Sequence, residues 1–386
     1  MKHRTGYMDL YMFFSVLALL LFSVALVYSA SITNYSTDHF VILRKQVFLV
    51  VVAIAAFVAG MVINYHHYQN ISKAILLAGV FLLLLMFFVG TRKYGSTRWI
   101  PLPGGLSFQP SEFAKFTLII HISALLAQKQ RYIREFRNGF LPLLIWSGVV
   151  AGFIYIEPNL STATIIIVIT FILMFVGRVR LRHMIGIVTI AAPIILLFAF
   201  SHKHITERIE GFLTPADVTT QGRAEQARFQ QEMSITALAA GGAFGVGPGK
   251  SIQREKYLTQ ANNDFILAII GEEYGFIGVM IVISLYLLIL FRGMKIAKRA
   301  TDDFGRFLAF GITITIVLFA LAHSIVVSGL GPVTGLPLPF LSAGGTSIIF
   351  TSYAAGILLN ISMFTRIRPR SVVDPSYSDR LSFGEA

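Results

Sequence analysis

The chain has 386 residues, of which 55% are hydrophobic and only 13% charged, with a mean hydropathy of +0.72. A soluble domain carries about a quarter charged residues, so an ordinary soluble enzyme, a disordered chain and a fibrous repeat are excluded. There is no cysteine, which removes disulfides, thiolate chemistry and Cys-ligated metals, and the net charge of +13 has to be read as membrane topology before it is read as affinity for a polyanion.

Charge-poor apolar runs fall near 10–31, 46–64, 74–90, 113–128, 141–156, 160–176, 184–200, 265–291, 307–328 and 343–365. Each is long enough, or nearly so, to cross about 30 Å of hydrocarbon, which predicts an all-α polytopic membrane protein with about ten transmembrane helices. The first run follows Lys2, His3 and Arg4 and ends in Tyr28-Ser29-Ala30-Ser31, imitating a signal peptide. Its apolar stretch exceeds the 7–15 residues of a signal core, so it reads as a retained helix. Residues 1–368 form one integral membrane domain, and 369–386 read as a short, polar, disordered cytoplasmic tail.

The basic residues alternate by loop. Lys2, Arg4, Lys73, the Lys129–Arg137 group, Arg178, Arg180, Arg182, the Arg292–Arg306 group and the Arg366–Arg380 tail fall on one side. The short loops opposite hold only Arg44, Lys45, Arg92, Lys93 and Arg98. The positive-inside rule then places both termini in the cytoplasm. The large loop 201–263 is thereby extracytoplasmic. It has a helical look around 221–240, followed by the glycine-rich run Gly241 to Gly249, read as a flexible turn where the chain meets the membrane. Gly249-Lys250-Ser251 mimics the end of a phosphate-binding loop, but Phe244 occupies the required glycine position and no strand precedes it, so nucleotide binding is not expected.

Ionisable residues at membrane depth are costly and therefore mark function by default. Glu112 and Lys115 lie i and i+3 at the start of the fourth span, where they can pair structurally or act on substrate. Asp264 opens the eighth span and can cap that helix. Glu272 and Glu273 lie deeper and can tie packed helices together. Glu157 and Asn159 sit in a tight turn. His121 and His323 lie in spans and read as hydrogen-bonded packing residues, since no His/Asp/Glu grouping has metal-ligand spacing. Arg98, Glu112, Lys115, Asp264 and the long-loop cations Arg223, Arg228, Arg254 and Lys256 all map to the extracytoplasmic half. Carboxylates among cations at a membrane surface suit a lipid-linked anionic substrate, with cations on phosphate and a carboxylate as base. Nucleic acid is not an expected partner.

Three long segments carry a resemblance. Gly95-Ser96-Thr97-Arg98-Trp99-Ile100 with Phe108-Gln109-Pro110-Ser111-Glu112-Phe113-Ala114-Lys115 is the first. Asn263-Asp264-Phe265-Ile266 with Ile269 to Gly278 is the second, and the run from Gly331 to Ser347 is the third. Together, and in order, they resemble the SEDS family (shape, elongation, division and sporulation; the FtsW/RodA/SpoVE group). The resemblance implies a ten-helix peptidoglycan glycosyltransferase that polymerises lipid II outside the membrane, releases undecaprenyl pyrophosphate, and works beside a class B penicillin-binding protein and other divisome or elongasome proteins. The family's essential aspartate falls on Asp264, and Trp99, Glu112 and Lys115 also match functional positions. Arg98, Lys115, Arg223 and Lys256 are then expected on the leaving pyrophosphate, with a divalent cation (Mg or Mn) able to share that task.

The chain departs from the family pattern in places. The usual Gln-Pro-Asp-Leu-Gly-Thr reads Glu157-Pro158-Asn159-Leu160-Ser161-Thr162, which loses the Asp carboxylate or moves it to Glu157. The usual His-Thr-Asp reads Asn262-Asn263-Asp264, and Ser-Tyr-Gly-Gly reads Ser342-Ala343-Gly344-Gly345. The Val27–Ser31 end of the first span and the basic tail lean towards the division-type members. Other readings are a lipid II flippase, which should show inverted repeats, and a catalytically silent scaffold.

Overall fold

The computed structural model describes residues 6–31, 39–93, 96–102, 106–157, 159–201, 206–207, 210, 212, 223–253, 261–343 and 345–365. Helices form at all ten apolar runs: α1 (Leu10–Ser31), α2 (His39–Val62), α3 (His66–Val89), α4 (Pro110–Gln128), α5 (Leu141–Ile156), α6 (Leu160–Val176), α7 (Leu181–Ser201), then α9 (Ile266–Arg299), α10 (Asp303–Val327) and α11 (Thr346–Met363). The long loop contributes α8 (Arg223–Ala240), as its sequence predicted. Seven of the described helices are long and apolar enough to cross a membrane by length and composition. Helix α6 and the Leu181–Pro193 part of α7 are shorter apolar helices.

Helix α4 is the most polar of the ten, carrying Ser111, Glu112, Lys115, Thr117, His121 and Ser123, all buried. It sits at the centre, packed by α3, α5, α6, α10 and α11. A polar helix survives at membrane depth because its neighbours, and not lipid, receive its side chains. His121 is 3.3 Å from the Ser72 hydroxyl and edge-on to Trp146, and so is a packing residue.

Lipid tails are as apolar as leucine, so helices associate through close packing and polar tethers. The α2/α11 pair shows both. A Cβ on Gly60 would lie 2.4 Å from the Tyr353 carbonyl oxygen, and one on Gly356 would lie 2.2 Å from that of Phe57. At the end of this crossing, Asn360 accepts from the Tyr65 N–H at 2.9 Å and donates to the Met61 carbonyl at 2.7 Å.

Two differences from expectation concern the end of the bundle that carries Asp264. First, the loop between α3 and α4 departs from the all-α expectation. Strands β1 (Thr91–Lys93), β2 (Ser96–Leu102) and β3 (Leu106–Phe108) form an antiparallel sheet in that order, with Thr91 opposite Trp99 and Ile100 opposite Phe108. The strands are too short for an alternation pattern to show in the sequence. Second, the run Gly241–Gly249 is a docked structure, not a loose turn. Helix α9 breaks at Gly275 (φ 67°, ψ −166°), and the run threads through the break. The Val246 and Gly247 N–H groups donate to the Glu272 and Glu273 carbonyls, and Phe276 and Ile277 donate to the Gly242 and Ala243 carbonyls, all at 2.9–3.2 Å. The backbones touch: a Cβ on Gly275 would lie 2.4 Å from the Gly245 nitrogen.

The α2/α11 crossing yields a test. Gly356→Leu forces two backbones apart, at a cost of about 1–3 kcal/mol or more. The melting temperature in detergent, read by fluorescence-detected size-exclusion chromatography, should fall by several degrees; an unchanged value would contradict the close approach.

Candidate active site

Asp264 ends a one-turn helix (Ala261–Asp264), and Phe265 (φ −131°, ψ 24°) separates it from α9. This break stops the aspartate from being an ordinary residue inside a span, and Asp264 itself is half-buried. The backbone around it is held by the segment between α10 and α11. The Ser342 hydroxyl donates to the Asn263 carbonyl at 2.7 Å and accepts from the Leu338 N–H at 2.8 Å. Gly335 (φ 67°) passes so close to the carboxylate that a Cβ there would lie 3.3 Å from Asp264 Oδ2. Two helices fix the segment from behind: His323 Nδ1 donates to the Leu336 carbonyl at 2.8 Å, and the Tyr286 hydroxyl donates to that of Pro339. His323 is thus a packing histidine, as its sequence context predicted.

A second group lies where β2 meets the α5–α6 turn. Arg98 Nε donates to the Glu157 carbonyl at 3.1 Å. The Glu157 side chain is 1% exposed, and neither carboxyl oxygen has a hydrogen-bond partner. Burial pushes its pKa up from 4.5 to about 8, against the opposing pull of the Arg98 guanidinium. Asn159 beside it is also buried. Trp99 follows Arg98 on β2, half-buried, with its carbonyl accepting from the Thr91 hydroxyl at 3.2 Å.

Glu112 and Lys115 pair at 2.8 Å, with both side chains 3% exposed. Lys115 Nζ also lies 4.1 Å from the Phe319 ring centre and 5.0 Å from that of Phe116. Its charge is therefore satisfied inside the protein, and in this conformation it is not presented to a phosphate. Glu272 accepts from the Ser251 hydroxyl and from the Ile252 and Gln253 N–H groups. Glu273 accepts from Ser29 at 2.6–2.7 Å, and Ser29 in turn accepts from the Gly249 N–H. These two adjacent carboxylates point to different partners and tie α1 and the glycine-rich run to α9. Of the expected cations, the Arg223 side chain and all of Arg254 and Lys256 lie outside the described residues.

The structure thus brings together Arg98 with Glu157, Glu112 with Lys115, and Asp264 with the Gly331–Gly345 segment, all at one end of the bundle. The supporting roles of Gly335 and Ser342 have no signal in composition or periodicity, because they depend on contacts over 70 residues away in sequence. Among the described residues, no group of three or more His, Asp or Glu side chains converges as a metal site.

The family model described as cell cycle protein, covering FtsW, RodA and SpoVE, matches residues 9–367. The chain is 36% identical over 374 residues to a probable peptidoglycan glycosyltransferase FtsW of Geobacter sp. (strain M18), covering 95% of this chain and 99% of that one. It is 35% identical to the stage V sporulation protein E of Bacillus subtilis (strain 168), covering 93% and 98%. Among solved structures, it resembles a chain of a peptidoglycan synthase complex that coordinates polymerisation and crosslinking (TM-score 0.75, 22% identity, 92% of this chain and 97% of that one). It also resembles the Thermus thermophilus rod shape determining protein RodA (TM-score 0.67, 22% identity, 94% and 98%). At these identities the structural likeness is one of fold.

The buried groups give two tests. Lys115→Met leaves Glu112 as an uncompensated buried charge, which costs about 3–5 kcal/mol. Adding Glu112→Gln should recover most of the lost thermal stability; a double variant as unstable as the single would refute the pairing. Glu157 binds its proton more tightly in the folded chain than in the unfolded one. Its contribution to stability is fully present below pH 4.5 and is lost as pH rises through about 8. Melting temperature should fall over that window, and Glu157→Gln should flatten the fall.

Proposed function

Since the chain belongs to the FtsW/RodA/SpoVE family of cell cycle proteins, we propose that it is a peptidoglycan glycosyltransferase polymerising lipid II at the outer face of the cytoplasmic membrane, in cell division. The observation that carries the chemistry is Asp264, set at a break before α9 with a glycine backbone against its carboxylate. The acceptor sugar hydroxyl attacks the anomeric carbon of the donor while Asp264 takes its proton. The new bond is carbon to acceptor oxygen, and the bond broken is carbon to phosphate oxygen. Undecaprenyl pyrophosphate leaves with that electron pair. An α-linked donor gives a β-linked product, so a single base suffices.

Arg98 is the described cation best suited to the departing pyrophosphate, because its guanidinium is anchored beside the turn that holds Glu157. Arg223 and Lys256 remain assigned to the same anion on sequence grounds. The Glu112–Lys115 pair shapes the wall between α4 and α10. Asp264 with substrate phosphates suits a divalent ion of the Mg or Mn type, which is commonly held by one carboxylate plus phosphate oxygens. Such an ion would supply charge neutralisation.

The orientation follows from charge. Gly6, the α2–α3 turn, the loop bearing Lys129–Arg137 and the α7 start lie at the end opposite Asp264, and that end carries the basic majority. Both termini are assigned to the cytoplasm, with the site outside. Helix α9 also presents an apolar groove of about 370 Å³ lined by Phe276, Ile277, Met280 and Ile281, with Phe276 64% exposed. This groove is assigned to the single transmembrane helix of a class B penicillin-binding protein.

The deciding experiment uses purified chain with its cognate transpeptidase and labelled lipid II. Asp264→Asn should lower glycan-strand synthesis by about a hundredfold or more, while the complex still co-purifies. Equal strands from both would move the base to Glu157 or Glu112. No strands from the assembled wild type would favour a flippase or a scaffold.

A further inference from the structure

At the end of the bundle opposite Asp264, a cavity of about 420 Å³ opens between the Tyr7–Tyr11 stretch, the last turns of α9 and the end of α11. Arg292, Lys295 and Arg299 line it from α9, and the i, i+3, i+7 spacing sets them along one helix face. The first is neutralised: Arg292 meets Asp9 through Nη2 at 2.5 Å and through Nε at 2.8–2.9 Å, and its guanidinium lies 4.8 Å from the Tyr11 ring centre. Asp9 is held in turn, accepting from the Met12 N–H and donating its own N–H to the Ser362 hydroxyl, while Gly6 donates to the Met363 carbonyl. The wall is therefore rigid. Lys295 and Arg299 are exposed, and no described carboxylate lies within ion-pair distance of either. Among the described residues, the cavity thus keeps two positive charges without a carboxylate partner.

The Tyr7–Tyr11 wall also carries apolar surface: Leu10 and Tyr11 line the cavity and are 55% and 63% exposed. Next to the cavity residues in sequence, Phe14 (one turn after Tyr11) and Phe291 (before Arg292) are each at least 60% exposed. Aromatic side chains beside cations at a helix end mark the headgroup level of a bilayer. A soluble anion makes no use of an apolar rim, whereas a lipid places its phosphate on the cations and its chains along the aromatics. We propose that the cavity between Tyr11 and Arg292, Lys295 and Arg299 binds the phosphate headgroup of an anionic glycerophospholipid. Lys295 and Arg299 hold the phosphate, and the Asp9–Arg292 pair sets the distance between the walls. The site requires only that this end of the bundle lie at a membrane surface, and it stands apart from the glycosyltransfer reading.

Native mass spectrometry of the full chain, released from detergent containing phosphatidylglycerol or phosphatidylcholine, tests it. The wild type should retain phosphatidylglycerol over phosphatidylcholine. Lys295→Gln with Arg299→Gln should weaken that retention roughly tenfold or more, and inorganic phosphate in excess should not displace the lipid. The control, Arg131→Gln with Arg134→Gln, removes the same charge from exposed positions on the loop before α5 and should retain the lipid. Equal loss in both variants would reduce the effect to diffuse attraction by a basic surface and overturn the site. So would absence of a headgroup preference. Displacement by phosphate alone would make it a soluble-anion pocket instead.

Discussion

A peptide group left unpaired in hydrocarbon costs several kcal/mol, and this single constraint organises the end of the bundle that carries the site. An uninterrupted helix satisfies it for free but cannot aim a carboxylate at a sugar. The break inside α9 and the non-helical segment between α10 and α11 are accordingly stitched to neighbours. The Gly275 break exchanges four backbone hydrogen bonds with the run Gly242–Gly247. The segment from Gly331 to Gly345 is pinned by Tyr286, His323 and Ser342. Asp264 lies against the second of these repairs, through Gly335 and through Ser342 on the Asn263 carbonyl, so its position is fixed by the means the protein uses to keep irregular backbone out of lipid.

The same logic separates the structural carboxylates from the one proposed as base. Glu272 is consumed by hydroxyl and amide donors, Glu273 by the Ser29 hydroxyl, and Glu112 by an ammonium. Glu157 is buried without a partner for its oxygens and remains protonated to about pH 8. Asp264 alone combines partial exposure with a backbone break. Five acidic side chains near one end of the bundle are thus differentiated by their donors and by solvent, not by residue type.

Much of this was legible in the sequence. All ten helices form at the apolar runs, seven of them long enough for the hydrocarbon, and α8 follows from its polar helical composition, because both signals are local. The reading of Glu272 and Glu273 as ties between packed helices also matches the contacts they make. The sheet β1–β3 escaped because strands of three, seven and three residues hold too few alternations to register. The glycine-rich run looked loose because its partner is the backbone about 30 residues further on, and glycine content alone does not say whether a chain is free or in close contact. The spacing of Glu112 and Lys115 showed a possible ion pair but not the Phe319 ring that completes the burial of Lys115, because that contact comes from a distant helix.

The contact between Gly245 and Gly275 has a thermodynamic consequence. Each glycine is required by the other's backbone: a Cβ on Gly245 would lie 2.2 Å from the Glu273 carbonyl oxygen, and one on Gly275 lies against Gly245 itself. Once a side chain at one position has pushed the strands apart, a side chain at the other meets less resistance. The pair therefore belongs to the class of sites whose free energies are non-additive, the steric part of the two costs being shared. Viewed along lineages, each position is hard to change alone, and because both residues have positive φ each keeps a backbone strain of its own even when they change together.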